Sequence, residues 1–415
     1  MYHDSGPPGR VVVLRAANQN IMIAGGNHTI IPSADCRRYS GGTIFWVVPF
    51  TPTGYTSNVA DGWDWIFLLA IPDALCYACG KNGLRKDLTM EIRKPDFYDS
   101  FRCLAGICPD SCCQMWDVAV DEEKARFYRG LSGELGERLR SYLREEDGET
   151  YLTLEGTRCP MWREDGLCRI QAELGEEALC KTCRDFPRLR HDYGSFMELG
   201  LELSCPEAAR MLLSQDRWRW VTQGQATEEP DFDPQDMELL RSTRETAMEL
   251  TLGPDPLSRL LLFTYHAQAL LDGGPETPFM PEPCPELERQ GDMDGFLQVF
   301  RELEILTPQW KQRLEQPAPR GFLPQDRAML RYLISRYWLQ AISDFDLVCR
   351  GKMTVSLVLL SCLLGGDPVE TGQLLSKELE NDAENMDALL DGAYTLPGLT
   401  DGNLLALIER VTKHS

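Results

Sequence analysis

Residues 103–113 read Cys-Leu-Ala-Gly-Ile-Cys-Pro-Asp-Ser-Cys-Cys, which places four thiols within eleven positions. Two of them, Cys112 and Cys113, are neighbours, and neighbouring cysteines rarely both serve as packing residues. Thiolates are soft ligands that suit zinc or an iron–sulfur cluster. The stretch therefore predicts a small, irregular, metal-binding part of the fold.

A second set of cysteines follows within the next hundred residues. It consists of Cys159, Cys168, Cys180, Cys183 and Cys205, so nine of the 15 cysteines lie between 103 and 205. The N-terminus lacks the basic-then-apolar order of a signal peptide, and in a reducing cytosol a dense cysteine cluster indicates metal more often than disulfides. The alternative is that most of these are buried free thiols that pack as small hydrophobic groups.

The remainder of the chain carries the apolar spacing of helices. Apolar residues recur at i, i+3 and i+4 over 236–252, 256–271, 295–306, 326–343, 370–380, 383–393 and 400–411. Val355–Leu364 is apolar on every side and predicts a buried helix. The predicted fold class is mainly α: a small irregular Cys-rich metal-binding part with a short β element, followed by an all-α helical body. Strands are expected at Tyr151–Leu154 and Ser195–Leu203.

One long helix is expected between Asp121 and Gly148. Acidic residues open it, which suits the helix dipole, and Asp121 is the expected cap. Apolar residues at 127, 128, 131, 135, 139 and 143 then recur at three- and four-residue spacing. The acidic run Glu145-Glu146-Asp147 is interpreted as the solvated end of this helix.

The first 89 residues differ in composition from the rest. They contain no glutamate, seven basic residues and six aspartates, whereas residues 90–415 hold 35 basic and 58 acidic residues. We expect 1–89 to be an N-terminal extension, disordered or attached by a mis-assigned start codon, that lies outside the functional domains. A Cys-rich metal or iron–sulfur domain is expected over 90–215 and an α-helical domain over 230–415.

The charge balance excludes some classes of partner. The net charge is -22, and neither a general nucleic-acid binder nor a protein that docks on an anionic membrane is expected to be so acidic. No uninterrupted apolar run reaches the roughly 18 residues of a membrane span. We therefore expect a cytoplasmic protein with no nucleic-acid and no membrane partner. The acidic surface would suit a lysine-presenting partner, although solubility alone would also explain it.

Several motifs resemble those of one known family. They are Pro95-Asp-Phe-Tyr-Asp-Ser-Phe-Arg-Cys103, Cys108-Pro-Asp-Ser-Cys-Cys-Gln-Met-Trp-Asp-Val-Ala-Val-Asp121, Cys159-Pro-Met-Trp, Gly166-Leu-Cys-Arg-Ile-Gln, Cys183-Arg-Asp-Phe-Pro-Arg188, Ser204-Cys-Pro-Glu-Ala-Ala-Arg210 and Arg331-Tyr-Leu-Ile-Ser-Arg-Tyr-Trp338. Together they resemble the flagellin lysine-N-methylase (FliB) family over about 90–415, most densely over 95–210.

The resemblance implies an S-adenosylmethionine-dependent protein-lysine N-methyltransferase that acts on flagellin and holds a [4Fe-4S] cluster. The cysteines that match the family pattern, and so the implied metal ligands, are Cys103, Cys108, Cys112, Cys113, Cys159, Cys168, Cys183 and Cys205, with Cys180 as an extra. The alternative is a zinc- or iron-chelating Cys-rich protein without methyltransferase activity. The sequence contains no GxGxG motif after a strand, which argues against a Rossmann-type methyltransferase fold. It also contains no CxxxCxxC motif: after Cys108 and Cys112, position 115 is occupied by Met115 instead of a third cysteine. The cluster's role is therefore left open between a structural one and binding of the methyl donor.

Four other residues are candidates for the site. His191 and Asp117 are the catalytic candidates, His191 as a base, although a lone histidine is more often structural. Trp116 would stack on the donor or shield the cluster, and shielding is favoured. Arg188, with Arg184 close by, would offset thiolate charge or bind the donor carboxylate, against a surface ion pair.

Overall fold

The structure of the chain is a computed structural model. It describes residues 12–16, 19–23, 35–38, 44–48, 67–70, 90–225, 230–280 and 291–413. The chain divides into two compact units, Met1–Lys86 and Asp87–Ser415. In the first unit, β1 (Val12–Ala16) pairs with β2 (Gln19–Ile23), and β4 (Ile44–Val48) lies between β3 (Asp35–Arg38) and β5 (Phe67–Ala70). We expect residues 1–89 to be an extension that lies outside the functional domains. Most of these residues lie outside the described ranges, and that expectation stays a prediction.

The second unit begins with a four-stranded sheet. Its strands are β6 (Glu91–Pro95), β10 (Arg188–Asp192), β11 (Phe196–Leu201) and β12 (Trp220–Gln223), in the order β10-β11-β6-β12. β6 is parallel to β11, and the other two pairings are antiparallel. The strand expected over 195–203 is thus confirmed, and the antiparallel register places His191 opposite Glu198.

A separate three-stranded sheet includes residues that the sequence predicted to be helical. β7 (Val118–Val120), β8 (Leu143–Glu146) and β9 (Glu149–Leu152) pair in the order β7-β9-β8. The single helix expected from Asp121 to Gly148 is wrong: the structure has α1 (Glu122–Gly130), α2 (Gly133–Tyr142) and then β8. The acidic run at 145–147 consequently lies in a β-hairpin and not at a helix end. Asp147 and Gly148 both have positive φ, as a two-residue hairpin turn requires.

The Cys-rich segment adds three short helices, and a helical body follows. The three are α3 (Arg169–Leu174), α4 (Lys181–Asp185) and α5 (Pro206–Leu213). The body contains α6 (Pro234–Leu250), α7 (Pro256–Leu271), α8 (Met293–Arg301), α9 (Pro308–Glu315), α10 (Pro324–Tyr337), α11 (Leu347–Leu364), α12 (Pro368–Leu375), α13 (Ala383–Thr395) and α14 (Asp401–Thr412). These bounds confirm the helical periods and the mainly α class.

The centre of the body is α11, and every one of its 18 residues is buried. It is the one helix in the described ranges that is long and apolar enough to span a membrane by length and composition. It packs against α7, α10, α12, α13 and α14. The expectation of a buried helix at 355–364 is therefore confirmed.

Two hydrophobic cores organise the second unit. The larger one fills the helical body and reaches Tyr98, Phe101 and Cys205. The smaller one lies between α1, α2 and β7, and it includes Cys159 and Cys180. The smaller core has far fewer large apolar side chains than the larger one. Apolar burial alone therefore stabilises it less.

Candidate functional site

Nine cysteines lie between residues 103 and 205 of the second unit. None of them forms a disulfide: Cys159, Cys180 and Cys205 are buried, Cys108, Cys113 and Cys168 are partly exposed, and Cys103, Cys112 and Cys183 are exposed. They lie on loops or at the starts of short helices, since Cys168, Cys180 and Cys205 precede α3, α4 and α5. Such turns place backbone amides near the side chains that precede them.

Backbone N–H groups two or three residues ahead face six of these sulfur atoms. The N–H of Ala105 lies 3.3 Å from the sulfur of Cys103. Burial raises the pKa values of Cys108, Cys159, Cys168 and Cys205, and backbone amides two or three residues ahead oppose that rise: Asp110 at Cys108, Met161 at Cys159, Gln171 and Ile170 at Cys168, and Ala208 and Glu207 at Cys205. The thiol of Cys183, together with its amide, lowers the pKa of Cys180. Amides aimed at sulfur stabilise thiolates, which are the form that binds metal.

Burial opposes this effect in the apolar surroundings. It raises the pKa of Cys159 to about 12 and that of Cys205 to about 11. The hydrogen bond from the neighbouring Cys112 thiol lowers the pKa of Cys113, and the same contact raises the pKa of Cys112. Burial therefore favours the uncharged form of the Cys159 and Cys205 thiols, and a bound cation would reverse that balance.

The donor set fits zinc or an iron–sulfur cluster in its chemistry, since many sulfur ligands and their supporting amides are present. In the described ranges, however, no three histidine, cysteine, aspartate or glutamate side chains already stand at the positions that one metal ion needs. The thiols meet in pairs instead, Cys112 with Cys113 and Cys180 with Cys183. Binding would have to draw further sulfur atoms inwards.

Asp110 anchors the first cysteine loop on the helical body. The ammonium group of Lys377 lies 2.9 Å from its carboxylate, and the lysine side chain is only 4% exposed. The amide of Gln373, on α12, donates to Asp110 at 3.0 Å and to the Ser204 carbonyl at 2.7 Å. Burial raises the pKa of Asp110, but Lys377 and the hydrogen bonds outweigh it and hold that pKa below its usual range.

Trp116 lies between the two parts of the unit. Its ring contacts that of Phe186 at a centroid distance of 6.5 Å, and the Lys377 ammonium stands 5.3 Å from its centre. Trp116 also packs against the smaller core, beside Cys113 and Cys168. These contacts suit the shielding role, while stacking on a donor stays a prediction.

Asp117 and Arg188 have local partners. Asp117 accepts a hydrogen bond from the Leu154 amide at 3.0 Å. The Arg188 guanidinium lies 5.2 Å from the centre of the Phe101 ring, and Arg184 pairs with Asp185 at 3.3 Å. Asp121 caps α1 as expected and also accepts from the Lys181 amide at 2.8 Å. Each of these side chains therefore stabilises the local structure through a contact of its own. The roles of Asp117 and Arg188 in the site stay predictions.

His191 lines a partly open cavity at one face of the four-stranded sheet. Glu198, Trp218, Trp220, Tyr332 and Arg336 line the same cavity. Burial, followed by the positive charge of Arg336, lowers the pKa of His191 to about 4. The Nε2 atom of His191 is buried and has no hydrogen-bond partner. The imidazole is therefore neutral at pH 7 and has a nitrogen free to bond to a ligand.

A buried polar network lies behind this cavity. Arg336 donates to the Tyr332 hydroxyl at 2.6 Å and pairs with Glu380 at 3.1 Å. Glu380 also accepts from the Tyr337 hydroxyl at 2.7 Å. The Tyr332 hydroxyl in turn accepts from the Leu203 amide, two residues before Cys205. A chain of hydrogen bonds, the longest at 3.5 Å between the Leu203 amide and the Tyr332 hydroxyl, thus joins the cavity to the segment before Cys205.

Sequence reasoning found the cysteines, Trp116 and His191 but missed Asp110, Gln373, Lys377 and the Arg336–Glu380 pair. Lys377 is 267 positions from Asp110, and no periodicity connects them. A lysine inside the apolar pattern of the 370–380 helix is the one signal that the sequence held. Cys180, which is an extra beside the eight cysteines of the family pattern, lies in the smaller core, and its thiol is hydrogen-bonded to that of Cys183. Its place outside the ligand set stays a prediction.

Comparisons with known proteins agree with the motifs. The chain is 31% identical over 136 residues to the flagellar biosynthetic protein FliU of Salmonella muenchen, an alignment that covers 31% of this chain and 79% of FliU. The same identity over the same length relates it to the lysine-N-methylases of Salmonella typhimurium and Salmonella choleraesuis. The alignment covers only 33% of each of these two proteins. No family model and no solved structure matches the chain.

Proposed function

Since this chain belongs to the flagellin lysine-N-methylase (FliB) family, we propose that it is a cytoplasmic, S-adenosylmethionine-dependent protein-lysine N-methyltransferase that acts on flagellin. The observation that carries the proposal is the relationship to proteins named lysine-N-methylase and to a flagellar biosynthetic protein. The motifs outside the cysteines support it, because a bare chelating domain would need no helical body of this size.

The reaction is the transfer of one methyl group. The S–CH₃ bond of the donor sulfonium breaks, an N–CH₃ bond forms on the lysine ε-nitrogen, S-adenosylhomocysteine leaves and one proton is lost from nitrogen. The attacking amine must be uncharged, because an ammonium group has no lone pair. A site that removes the amine from water favours that neutral form.

His191 is the residue that we assign to the lysine amine. Its free Nε2 atom and its neutral state allow it to accept a hydrogen bond from the amine N–H and so orient the lone pair. The indole and phenol rings of Trp218, Trp220 and Tyr332 around the cavity would exclude water and contact the donor's positive charge. Asp117 is the weaker candidate for this role, since its carboxylate already holds Leu154.

We further propose that the cysteines hold an iron–sulfur cluster, with Trp116 as its shield and Arg188 as a counter-charge. When bound, the cluster would cross-link the thiolates and offer the donor's amino and carboxylate groups an iron site. The amide groups aimed at six sulfur atoms support a metal of this kind. Zinc would satisfy the same ligands and is the alternative.

The test is a methylation assay with full-length protein purified without oxygen, the host's own flagellin and donor labelled in its methyl group. We expect label in lysine, and a His191→Gln variant should lower kcat at least tenfold with little change in iron content. The matched control is His266→Gln, the same substitution at a histidine of α7 that does not line the cavity. Iron and absorbance are measured on every sample.

Two outcomes would contradict the proposal. An iron-replete, folded sample that transfers no label would favour the metal-binding alternative without methyltransferase activity. A His191→Gln variant with unchanged kcat would keep the enzyme but remove His191 from its site.

A further inference from the structure

Three large aromatic side chains are exposed on the helical body. Tyr394 of α13 is 60% exposed, Phe345 before α11 is 46% exposed and Tyr265 of α7 is 40% exposed. Single exposed aromatic residues are common, whereas a contiguous exposed patch of them marks a site of interaction. Whether the three form such a patch depends on the contacts between the elements that carry them.

Hydrogen bonds join the three positions. Gln268 lies three residues after Tyr265 on the same side of α7, and its side-chain amide donates to the Phe345 carbonyl at 2.9 Å. The Tyr394 hydroxyl donates to Asp346, the residue after Phe345, at 2.7 Å. Tyr265, Phe345 and Tyr394 therefore border one continuous surface, which we call the aromatic face.

Carboxylates hold two of the rings in place. The Tyr265 hydroxyl donates to Asp401 at 2.6 Å, as the Tyr394 hydroxyl does to Asp346. Asp346 is itself fixed, because it caps α11 by accepting from the Cys349 amide at 3.0 Å. The two rings are therefore ordered before any partner binds, which reduces the side-chain entropy that docking would cost.

The charge around the aromatic face is negative. Asp387 and Asp391 are exposed on α13, seven and three residues before Tyr394, and so lie on the same side of that helix. The two basic side chains next to the face, Arg350 and Lys352, are buried and are paired with aspartates. A partner would therefore meet carboxylates and aromatic rings rather than these two cations.

Carboxylates beside aromatic rings suit a cationic partner. A lysine ammonium group is attracted to a carboxylate and to the face of a tyrosine or phenylalanine ring, and the lysine methylene groups pack against such a ring. The last turn of α13, which carries Tyr394, has no basic residue and adds the negative end of a helix dipole. The same groups would repel an anionic partner such as a nucleic acid.

From this arrangement we infer that the aromatic face is a docking surface for a protein surface that presents lysine side chains, which in the proposed function is that of flagellin. The inference rests on the proposed substrate, but not on the cysteines or on any metal. Tyr265, Phe345 and Tyr394 lie outside the lining of the His191 cavity. The aromatic face should therefore determine how tightly flagellin binds and not how fast the methyl group is transferred.

The test replaces the three aromatic residues by alanine in the full chain, singly and together. The dissociation constant of the host's purified flagellin is measured by fluorescence anisotropy, and KM and kcat are measured by methyl transfer. The triple variant should raise the dissociation constant and KM about tenfold, because aromatic anchors carry much of the binding energy of an interface, and should leave kcat unchanged. Flagellin with acetylated lysines, which carry no charge, should bind the wild type more weakly and should not respond to the substitutions.

Phe127→Ala is the matched control, because Phe127 is 42% exposed on α1, in the Cys-rich part of the chain. It should leave both constants unchanged. Tyr394→Phe keeps the ring and should bind flagellin more tightly than Tyr394→Ala. If the triple variant does not fold by far-UV circular dichroism, Tyr394→Ala and the pair Asp387→Asn with Asp391→Asn decide the matter, since these exposed changes should each weaken binding.

An unchanged dissociation constant and KM in a folded triple variant would overturn the docking surface and leave the proposed function standing. Weaker flagellin binding by the triple variant of a protein that transfers no methyl group would support the docking surface and overturn only the proposed activity. Equal weakening by Phe127→Ala would remove the assignment to the aromatic face. A wild-type dimer that the triple variant converts to a monomer, with flagellin binding unchanged, would assign the face to a second copy of this chain instead.

Discussion

His191 illustrates how surroundings set the chemistry of a single residue. Arg336 on α10 and Arg244 on α6 both disfavour the imidazolium, and Glu198 on β11 opposes them. The Glu198 charge is largely compensated by Arg244, whose guanidinium contacts it at 2.6 and 2.8 Å in a pair that is almost fully buried. Burial therefore dominates, and the histidine stays neutral.

The free energy of unfolding should depend on pH through the titration of His191. The pKa of His191 is near 4 in the folded chain and about 6.5 when unfolded. Between these values the unfolded state binds the proton and the native state does not, so the free energy of unfolding decreases as pH falls from about 6.5 towards 4. By linkage the loss between pH 7.5 and pH 5 is about 2 kcal/mol at most.

The measurement is urea unfolding of wild type and His191→Gln at several pH values. The other titrating groups are common to both proteins, so the difference between the two profiles reports His191. A difference that stays constant from pH 7.5 to pH 5 would show that the folded imidazole titrates normally.

At the scale of elements, the helices of the body were predictable and the hairpin was not. Apolar spacing at three and four residues identifies α6 and α7, because each buries one side against the larger core. The same spacing continued through Leu131, Leu135 and Leu143, yet Leu131 is extended and Leu143 opens β8. The overlooked signal was Asp147-Gly148, since that dipeptide is typical of a tight hairpin turn.

The packing of α7 against α11 gives a prediction for one glycine. A Cβ atom at Gly351 would overlap the side chain of Thr264, whose hydroxyl is fixed by a 2.9 Å bond to the Leu260 carbonyl. Gly351→Ala should therefore lower the free energy of unfolding by about 1–3 kcal/mol through overpacking. Urea unfolding measures this change.

Gly130→Ala is the matched control in another helix. A Cβ atom at Gly130 has nothing within 4 Å, so the change should be neutral or stabilise α1 by up to about 1 kcal/mol. Equal effects of the two substitutions would contradict the close approach of α7 and α11.

On the scale of the whole molecule, the net negative charge should increase the rate at which the protein associates with flagellin. Residues 90–415 hold 35 basic and 58 acidic residues, and a surface that presents lysines would meet a favourable potential. Since exposed charges are screened beyond roughly 8 Å at physiological ionic strength, kcat/KM for flagellin should fall as salt rises. The readout is the initial rate at low flagellin concentration from 50 to 500 mM salt.

The rate at saturating flagellin is the control, because encounter no longer limits it. We expect that rate to change much less over the same range of salt. A kcat/KM that is indifferent to salt would leave the acidic surface without a part in recognition.

The sequence predicted which residue types form the candidate site but not which distant side chains contact one another there. Side-chain type alone identified the cysteines, because thiols have few other uses in such numbers. The Asp110–Lys377 pair depends on how α12 and the turn that follows it dock, and the pairing of Cys180 with Cys183 depends on where α4 begins. Contacts between distant parts of a chain arise from packing, and a single sequence contains no direct record of them.

The ion pair between Asp110 and Lys377 limits how this protein can be divided. If the Cys-rich segment were moved to another scaffold, Asp110 would lose its cation and Gln373. If the helical body were kept alone, Lys377 would lose both its carboxylate partner and the Trp116 ring that covers it. Neither half is a portable module, so a gene fusion or a domain exchange that preserves function would have to carry the cysteine loop and α12 together.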